Sequence, residues 1–418
     1  MSFQKPPFDA SKLDAYCSSI ASSPSRFDLP QGKRACGRVQ VVDLFSGCGG
    51  LSAGFEHFAR SIESFRLAAA VDLVPTALAT YSKNLPGRAI CADLCAAASS
   101  PRRIREFIAS LDLNSSRPLV LVGGPPCQGF SAHRKKSRIR SDERNGLVLA
   151  FAKIAVALEP EFIVLENVPE LVSEKNWPLF CDFRSRLRKV GYFVRAQVHN
   201  LADYGVPQER FRALIVARKS PFRLPTPLLQ RSQFRTVRDA IASLKPVAPG
   251  ERGEDPMHFC ANHKASTVAV IKAVPKNGGS RPAGIGPRCL QQVDGFRDVY
   301  GRMYWDRPAN TITANSRNPA GGRFIHPDQD RGLTVREAAL LQGFPKRYSF
   351  VGSFDDQFLQ IGNAVPSIFG AALAASIWSN IVSPPKSFSL EELATDVTEP
   401  VSNSFSSGIA GRKKSKAA

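Results

Sequence analysis

The chain has 418 residues, 43% of them hydrophobic and 22% charged, a balance that excludes disorder throughout and, at roughly 150 residues per domain, implies two or three domains. Lys and Arg number 56 against 36 Asp and Glu, a net charge of +20, which points to a polyanion as partner, nucleic acid first. No uninterrupted apolar run nears the ~18 residues of a bilayer span, the first thirty residues lack the apolar core of a signal peptide, and nine cysteines form no paired framework, so a reducing, cytoplasmic setting without membrane is expected (nucleoid-associated if bacterial).

Residues 1–37 carry no clear periodicity and read as an N-terminal extension. RVQVVDLF (38–45) then reads as a strand, a glycine turn follows, and LSAGFEHFAR (51–60) is helix-like. LAAAVDL (67–73) is a second strand, VPTALATYSKNL (74–85) a helix, and ICADL (90–94) ends a third, short strand. PLVLVGG (118–124), helix-like GLVLAFAKIAVALE (146–159) and EFIVLEN (161–167) continue the pattern. Apolar strands alternating with helices predict an α/β fold, a Rossmann-like parallel sheet covered on both faces. From about Ser220 to residue 330, Pro, Gly and Arg replace long periodic segments. Regular pattern returns at LTVREAALLQGFP (333–345) and AVPSIFGAALAASIW (364–378). The order predicts a first part at 38–220, a smaller irregular domain inserted at 221–349, and a returning part at 350–385. The tail 386–418, ending in Arg412, Lys413, Lys414 and Lys416, is expected to be disordered.

The first strand runs Asp43-Leu-Phe-Ser-Gly47-Cys-Gly49-Gly50, a turn in which glycines bring backbone N–H groups to a ligand at a helix N-terminus. Asp72 ends the next strand, where a carboxylate can accept both ribose hydroxyls, and Asp93 ends the third. Without the Lys-Ser/Thr of a triphosphate loop, a dinucleotide or S-adenosylmethionine remains. Gly123-Gly-Pro-Pro-Cys127 places one cysteine on a stiff turn at the carboxyl edge of the sheet, and a thiolate there suits covalent catalysis. Glu166 and Asn167 end the next strand at the same edge, with Glu166 a candidate general acid. Gln208, Arg210 and Arg212 face one way in an extended chain, where arginines suit a carbonyl oxygen or phosphate. His133, Arg134, Lys135, Lys136, Arg138, Arg140 and Arg144 add a stretch suited to phosphate contact. No CxxC pair exists, and no metal is expected.

FSGCGG, PPCQGFS, ENV, QERFR, LTVREAALLQGFP and QIGNAVP (360–366), in this order across about residues 38–380, resemble the motifs of the DNA cytosine-5 methyltransferases of bacterial and phage modification systems. The resemblance implies S-adenosyl-L-methionine as cofactor and double-stranded DNA as partner. It implies that Cys127 attacks C6 of a flipped cytosine, that Glu166 holds N3 and the exocyclic amine, and that Arg212, supported by Arg210, holds the base oxygen and the loop. It implies Phe45 against the adenine, Asp72 at the ribose and Asp93 at the adenine amine, with Ser46, Gly47, Gly49, Gly50, Leu94, Pro126, Asn363 and Ala364 completing the cofactor pocket. Gln128, Ser131, Asn167 and Gln208 are the implied substrate contacts. Asp72 stands where many members carry Glu, a shorter reach to the ribose. The region 221–300 is expected to read the target sequence, a monomer is expected, and a restriction endonuclease acting on the same site is a candidate partner. An RNA cytosine-5 methyltransferase and a catalytically silent DNA-binding relative are the alternatives; the intact PPCQGFS, Cys127 and Glu166 speak against both.

Overall fold

Alternating apolar runs and helices fold into one seven-stranded sheet in a computed structural model that describes residues 10–24, 27–29, 37–126, 141–291 and 296–402, with backbone alone at 141–145 and 291. The strands are β1 (Val39–Leu44), β2 (Phe65–Asp72), β3 (Arg88–Cys91), β4 (Leu119–Gly123), β5 (Phe162–Asn167), β6 (Phe193–Asn200) and β7 (Phe211–Arg218), in the spatial order β3-β2-β1-β4-β5-β7-β6. β1 to β5 are parallel, as their sequence pattern predicts. β7 is antiparallel to both β5 and β6, so the sheet is mixed, not wholly parallel. The link 201–210 is too short for the crossover that a parallel return requires, and β7 folds back as a hairpin. From β1 the chain first builds outward through β2 and β3, then returns to β1's other side with β4. That reversal opens a crevice at the carboxyl ends of β1 and β4.

The helices are α1 (Ala10–Ser22), α2 (Gly50–Ser61), α3 (Pro75–Asn84), α4 (Leu94–Ala97), α5 (Pro101–Ser110), α6 (Ser141–Leu158) and α7 (Trp177–Lys189), then α8 (Val237–Ile241), α9 (Ala265–Ala273) and α10 (Arg288–Gln291). α11 (Val335–Leu341), α12 (Phe354–Asn363), α13 (Ser367–Val382) and α14 (Leu390–Ala394) complete them. Side chains of β1 alternate between the two faces: Val39 and Val41 join Phe55, Phe58 and Trp378 from α2 and α13, whereas Val42 and Leu44 join Phe151 and Phe183 from α6 and α7. Each fully buried Phe contributes about 1.5–3 kcal/mol. The stretch Phe354–Val382 is long and apolar enough to cross a membrane by composition, yet 83% of its most apolar window is buried inside the fold.

Two terminal segments differ from expectation. Within 1–37, α1 is a helix that buries Tyr16 and Ile20, with Phe27 buried just after it; the Tyr16 hydroxyl lies 2.7 Å from His57 Nδ1 and Phe27 stacks on the His57 ring at 4.3 Å. The apolar side of α2 supplies this partner, which the local sequence of α1 does not announce. The described part of the tail, residues 386–402, lies against the fold. Val397 N–H donates to the Ala196 carbonyl on β6, Asp396 accepts from Ala196 N–H, and Val401 N–H donates to Val172. Backbone hydrogen bonds to an open strand edge order a segment whose composition is that of a loop.

Among the described residues from 219 to 332 there is no strand, and buried arginines satisfy the loop carbonyls. Arg302, fully buried, donates to the carbonyls of Ile271, Val274, His326 and Gln329 and pairs with Asp330. Arg331 makes a two-pronged pair with Glu337, both contacts 2.7 Å. Five donors in one planar fork do here what ladder partners do in a sheet.

Candidate active site

The glycine turn after β1 begins with Phe45, which takes a left-handed backbone (φ 59°), a conformation that costs a bulky residue of order 1–3 kcal/mol and persists where the surroundings over-determine it. Gly47 (φ 53°) and Gly49 (φ 87°) follow, the latter capping α2. Gly47 N–H donates to Asp72 Oδ2 at 2.8 Å, and Val74 N–H donates to Asp72 Oδ1 at 2.9 Å. The carboxylate at the end of β2 is thus oriented by one bond on each oxygen, with acceptor capacity left on both. Beneath the turn, Asp43 accepts from Ser52 Oγ at 2.6 Å, and burial pushes its carboxyl up to about 7 against that hydrogen bond.

Asp93 is exposed and caps α4, its Oδ1 accepting from the N–H groups of Cys95 and Ala96. Leu94 is buried below it. Asn363, exposed, ends α12, and the next carbonyl, Ala364, accepts from Gln342 Nε2 at 2.7 Å and Arg210 Nη2 at 3.3 Å. Here the two sides of the crevice meet: a Cβ on Gly50 would fall 2.3 Å from the Val365 carbonyl oxygen, and one on Gly124 would lie 3.6 Å from Val365 Cγ2 and 3.5 Å from Glu166 Oε2.

Glu166 is buried at the carboxyl end of β5, with Arg212 Nε 2.9 Å from its Oε1. Oε1 is thus held by the guanidinium, and Oε2 lies toward Gly124. Arg212 also donates to its neighbour's carbonyl, Phe211, at 2.6 Å. Arg210 is buried and donates to the carbonyls of Ile312, Gly362 and Ala364. Burial, reinforced by the charge of Arg212 and opposed by Glu166, holds its pKa well below the usual guanidinium value.

Two expected substrate contacts have other partners. Gln208 is fully buried; its Nε2 donates to the Leu341 carbonyl and Gln342 Oε1, and its Oε1 accepts from Ile312 N–H. With its amide engaged on both ends inside the protein, Gln208 braces the arginine strand and presents nothing to a base. Asn167 donates to the Pro125 carbonyl at 3.2 Å and accepts from Val168 N–H, which fastens the turn leading to exposed Pro126. Cys127, Gln128, Ser131 and the basic residues 133–140 lie outside the described residues, as does the Arg144 side chain. Gln342 and Tyr348 belong to the site's framework without having been singled out from sequence. Gln342 lies in a readable motif, but nothing local marks Tyr348.

The cradle fits an adenosine-type cofactor on two counts. Ser46 Oγ is buried without a partner, and open space lies over Gly47. Among the described residues no group of three His, Cys, Asp or Glu side chains is placed to hold a metal.

The family described as C-5 cytosine-specific DNA methylase matches residues 39–379. The type II methylase M.HgiDII of Herpetosiphon aurantiacus is 36% identical, covering 81% of this chain and 94% of its own. The type II methyltransferase M1.HphI of Haemophilus parahaemolyticus is 32% identical, covering 82% and 87%. A solved structure reported as a DNA modification methyltransferase encoded within an E. coli prophage shares the fold, with a TM-score of 0.63 at 23% identity over 82% of this chain and 99% of that one.

Proposed function

The chain belongs to the C-5 cytosine-specific DNA methylase family and is a DNA cytosine-5 methyltransferase; we propose that it modifies one specific double-stranded sequence, on a cytosine flipped out of the duplex and bonded to Cys127. The observation that carries the reading is the buried Glu166 carboxylate, paired with Arg212 through Oε1 and with Oε2 toward Gly124, beside the turn that leads to Cys127.

In this reading Cys127 Sγ forms a bond to C6, which moves an electron pair to C5. Glu166 holds N3 and the exocyclic amine, and Arg212 holds the base oxygen. S-adenosyl-L-methionine, when bound, supplies the methyl group that C5 takes up. Loss of the C5 proton then returns the pair that expels the Cys127 thiolate and restores the ring. Phe45, Ser46, Gly47, Asp72, Asp93 and Asn363 form the cofactor pocket, and Arg210 keeps the Ala364 turn in place. Flipping costs a few kcal/mol, which backbone contacts from the basic residues 133–144 offset. The region 221–300 reads base edges through its polar side chains. A monomer suffices for one flipped base, and a restriction endonuclease with the same site is the natural companion of such a protein.

The test is bisulfite sequencing of DNA from a methylation-free host expressing the chain or its Cys127→Ala variant. Methylcytosine at one recurring sequence, absent with the variant although it still binds DNA and cofactor, is the expected outcome. Normal transfer by Cys127→Ala would remove that thiol from the mechanism, and methylcytosine without a recurring context would remove the sequence specificity.

A further inference from the structure

A series of hydrogen bonds runs from the region proposed to read DNA to the glycine turn of the cofactor cradle. Asp255 holds Arg336 of α11, with Oδ2 2.5 Å from Nε and Oδ1 3.3 Å from Nη2. Arg336 is buried, and its Nη1 donates to the Tyr348 carbonyl at 2.8 Å. The buried Tyr348 hydroxyl donates to the Cys48 carbonyl at 2.6 Å, between Gly47 and Gly49. The residues that follow tie the same segment to α3: Ser349 N–H donates to Asn84 Oδ1 and Val351 N–H to Thr80 Oγ1. α3 is the helix entered directly after Asp72, so the segment 348–351 touches the supports of both the turn and the carboxylate.

The hydroxyl, rather than the ring, is the informative part. A peptide unit is planar, so fixing the Cys48 carbonyl also fixes the Gly49 N–H on its other side. That N–H donates to the Ser46 carbonyl at 2.9 Å, and Gly47 N–H donates to Asp72. Between Ser46 and Gly49 the turn has no helix or strand ladder to set its peptides. The Tyr348 hydroxyl therefore reaches the one peptide whose orientation closes the turn.

We propose that Tyr348 is a positioning residue for cofactor binding and that Asp255, through Arg336, sets it, so that the DNA-reading region and the cofactor turn are energetically coupled. The proposal rests on the reading that the turn and Asp72 hold S-adenosylmethionine. Its test is equilibrium titration of S-adenosylhomocysteine into the full chain, with a thermal melt of each variant. Loss of one buried hydrogen bond should weaken binding about tenfold in Tyr348→Phe. Asp255→Asn should weaken it roughly threefold, and the double variant should bind no worse than Tyr348→Phe alone, because the two act through one series. Phe350→Leu, in the same aromatic cluster, should lower the melting temperature without moving the affinity, which separates positioning from packing. Affinity within twofold of wild type in Tyr348→Phe, or additive losses in the double variant, would overturn the proposal. If Tyr348→Phe does not fold, Asp255→Asn alone decides, an affinity within twofold of wild type overturning it. Asp72→Ala tests the premise separately: unchanged S-adenosylhomocysteine binding there sinks the cradle assignment, whatever Tyr348 does.

Discussion

At the β1–β2 side of the crevice the glycine turn and the carboxylate that holds it lie near one another in sequence: Gly47 reaches Asp72 across 25 positions, and Asp72 then caps its own turn through Val74. At the β5–β7 side the supports come from far along the chain. Arg210 reaches Ile312 and Ala364 across 102 and 154 positions, and Gln208 reaches Leu341 across 133. The side proposed to hold the cofactor thus starts from a local motif, to which Tyr348 adds a distant support, while the side proposed to react is a junction of four segments that exists only once the chain has folded.

The largest expected effect tests the reacting side. Glu166→Gln keeps the shape but removes the charge, and turnover should fall about 10²–10⁴-fold while S-adenosylhomocysteine affinity holds. A parallel fall in cofactor affinity would mean that the two sides are not separable. Next in size is the response to acid. Burial lowers His57 on α2, His199 on β6 and His326 in the irregular region to about 4 each. The unfolded chain binds protons near pH 6.5 that the fold refuses, so this stability is complete above that value and lost as pH falls from about 6.5 to 4, at about 1.4 kcal/mol per unit for each histidine. Melting curves across that range should fall as one cooperative step, because the three sit in both regions; two steps would sharpen the division into independent units. The smallest effect is at the seam. Gly50→Ala forces a Cβ against the Val365 carbonyl and should cost about 1–3 kcal/mol by denaturant unfolding. An unchanged midpoint would mean that the turn slides freely past the Ala364 segment.

The same contrast explains what could be read without coordinates. β1 to β5, the glycine turn, Asp72 and Glu166 follow from apolar runs ending in a carboxylate or a glycine, patterns complete within ten residues. β6 is not legible: FVRAQVHN buries Arg195 and His199, and distant partners, Phe222 and residues 392–395 for Arg195 and Tyr204 for His199, make those polar side chains tolerable there. α1 is not legible because its apolar residues find their partners far along the chain, Tyr16 against His57 and Phe58 among them. Gln208 shows a different limit. A side-chain amide has the same donors and acceptors whether it meets a base or two carbonyls, and its long-range partners alone decide which.

The ordered tail has a consequence apart from chemistry. β6 is the last strand of the sheet, and outer strands offer unpaired N–H and C=O groups as a template for a second chain. Asp396 and Val397 occupy both backbone groups of Ala196, and Arg195 is held by the Glu392 carbonyl and Thr395. The segment 390–397 therefore covers the outer edge of β6 at Ala196, so those two groups are not offered to a second chain.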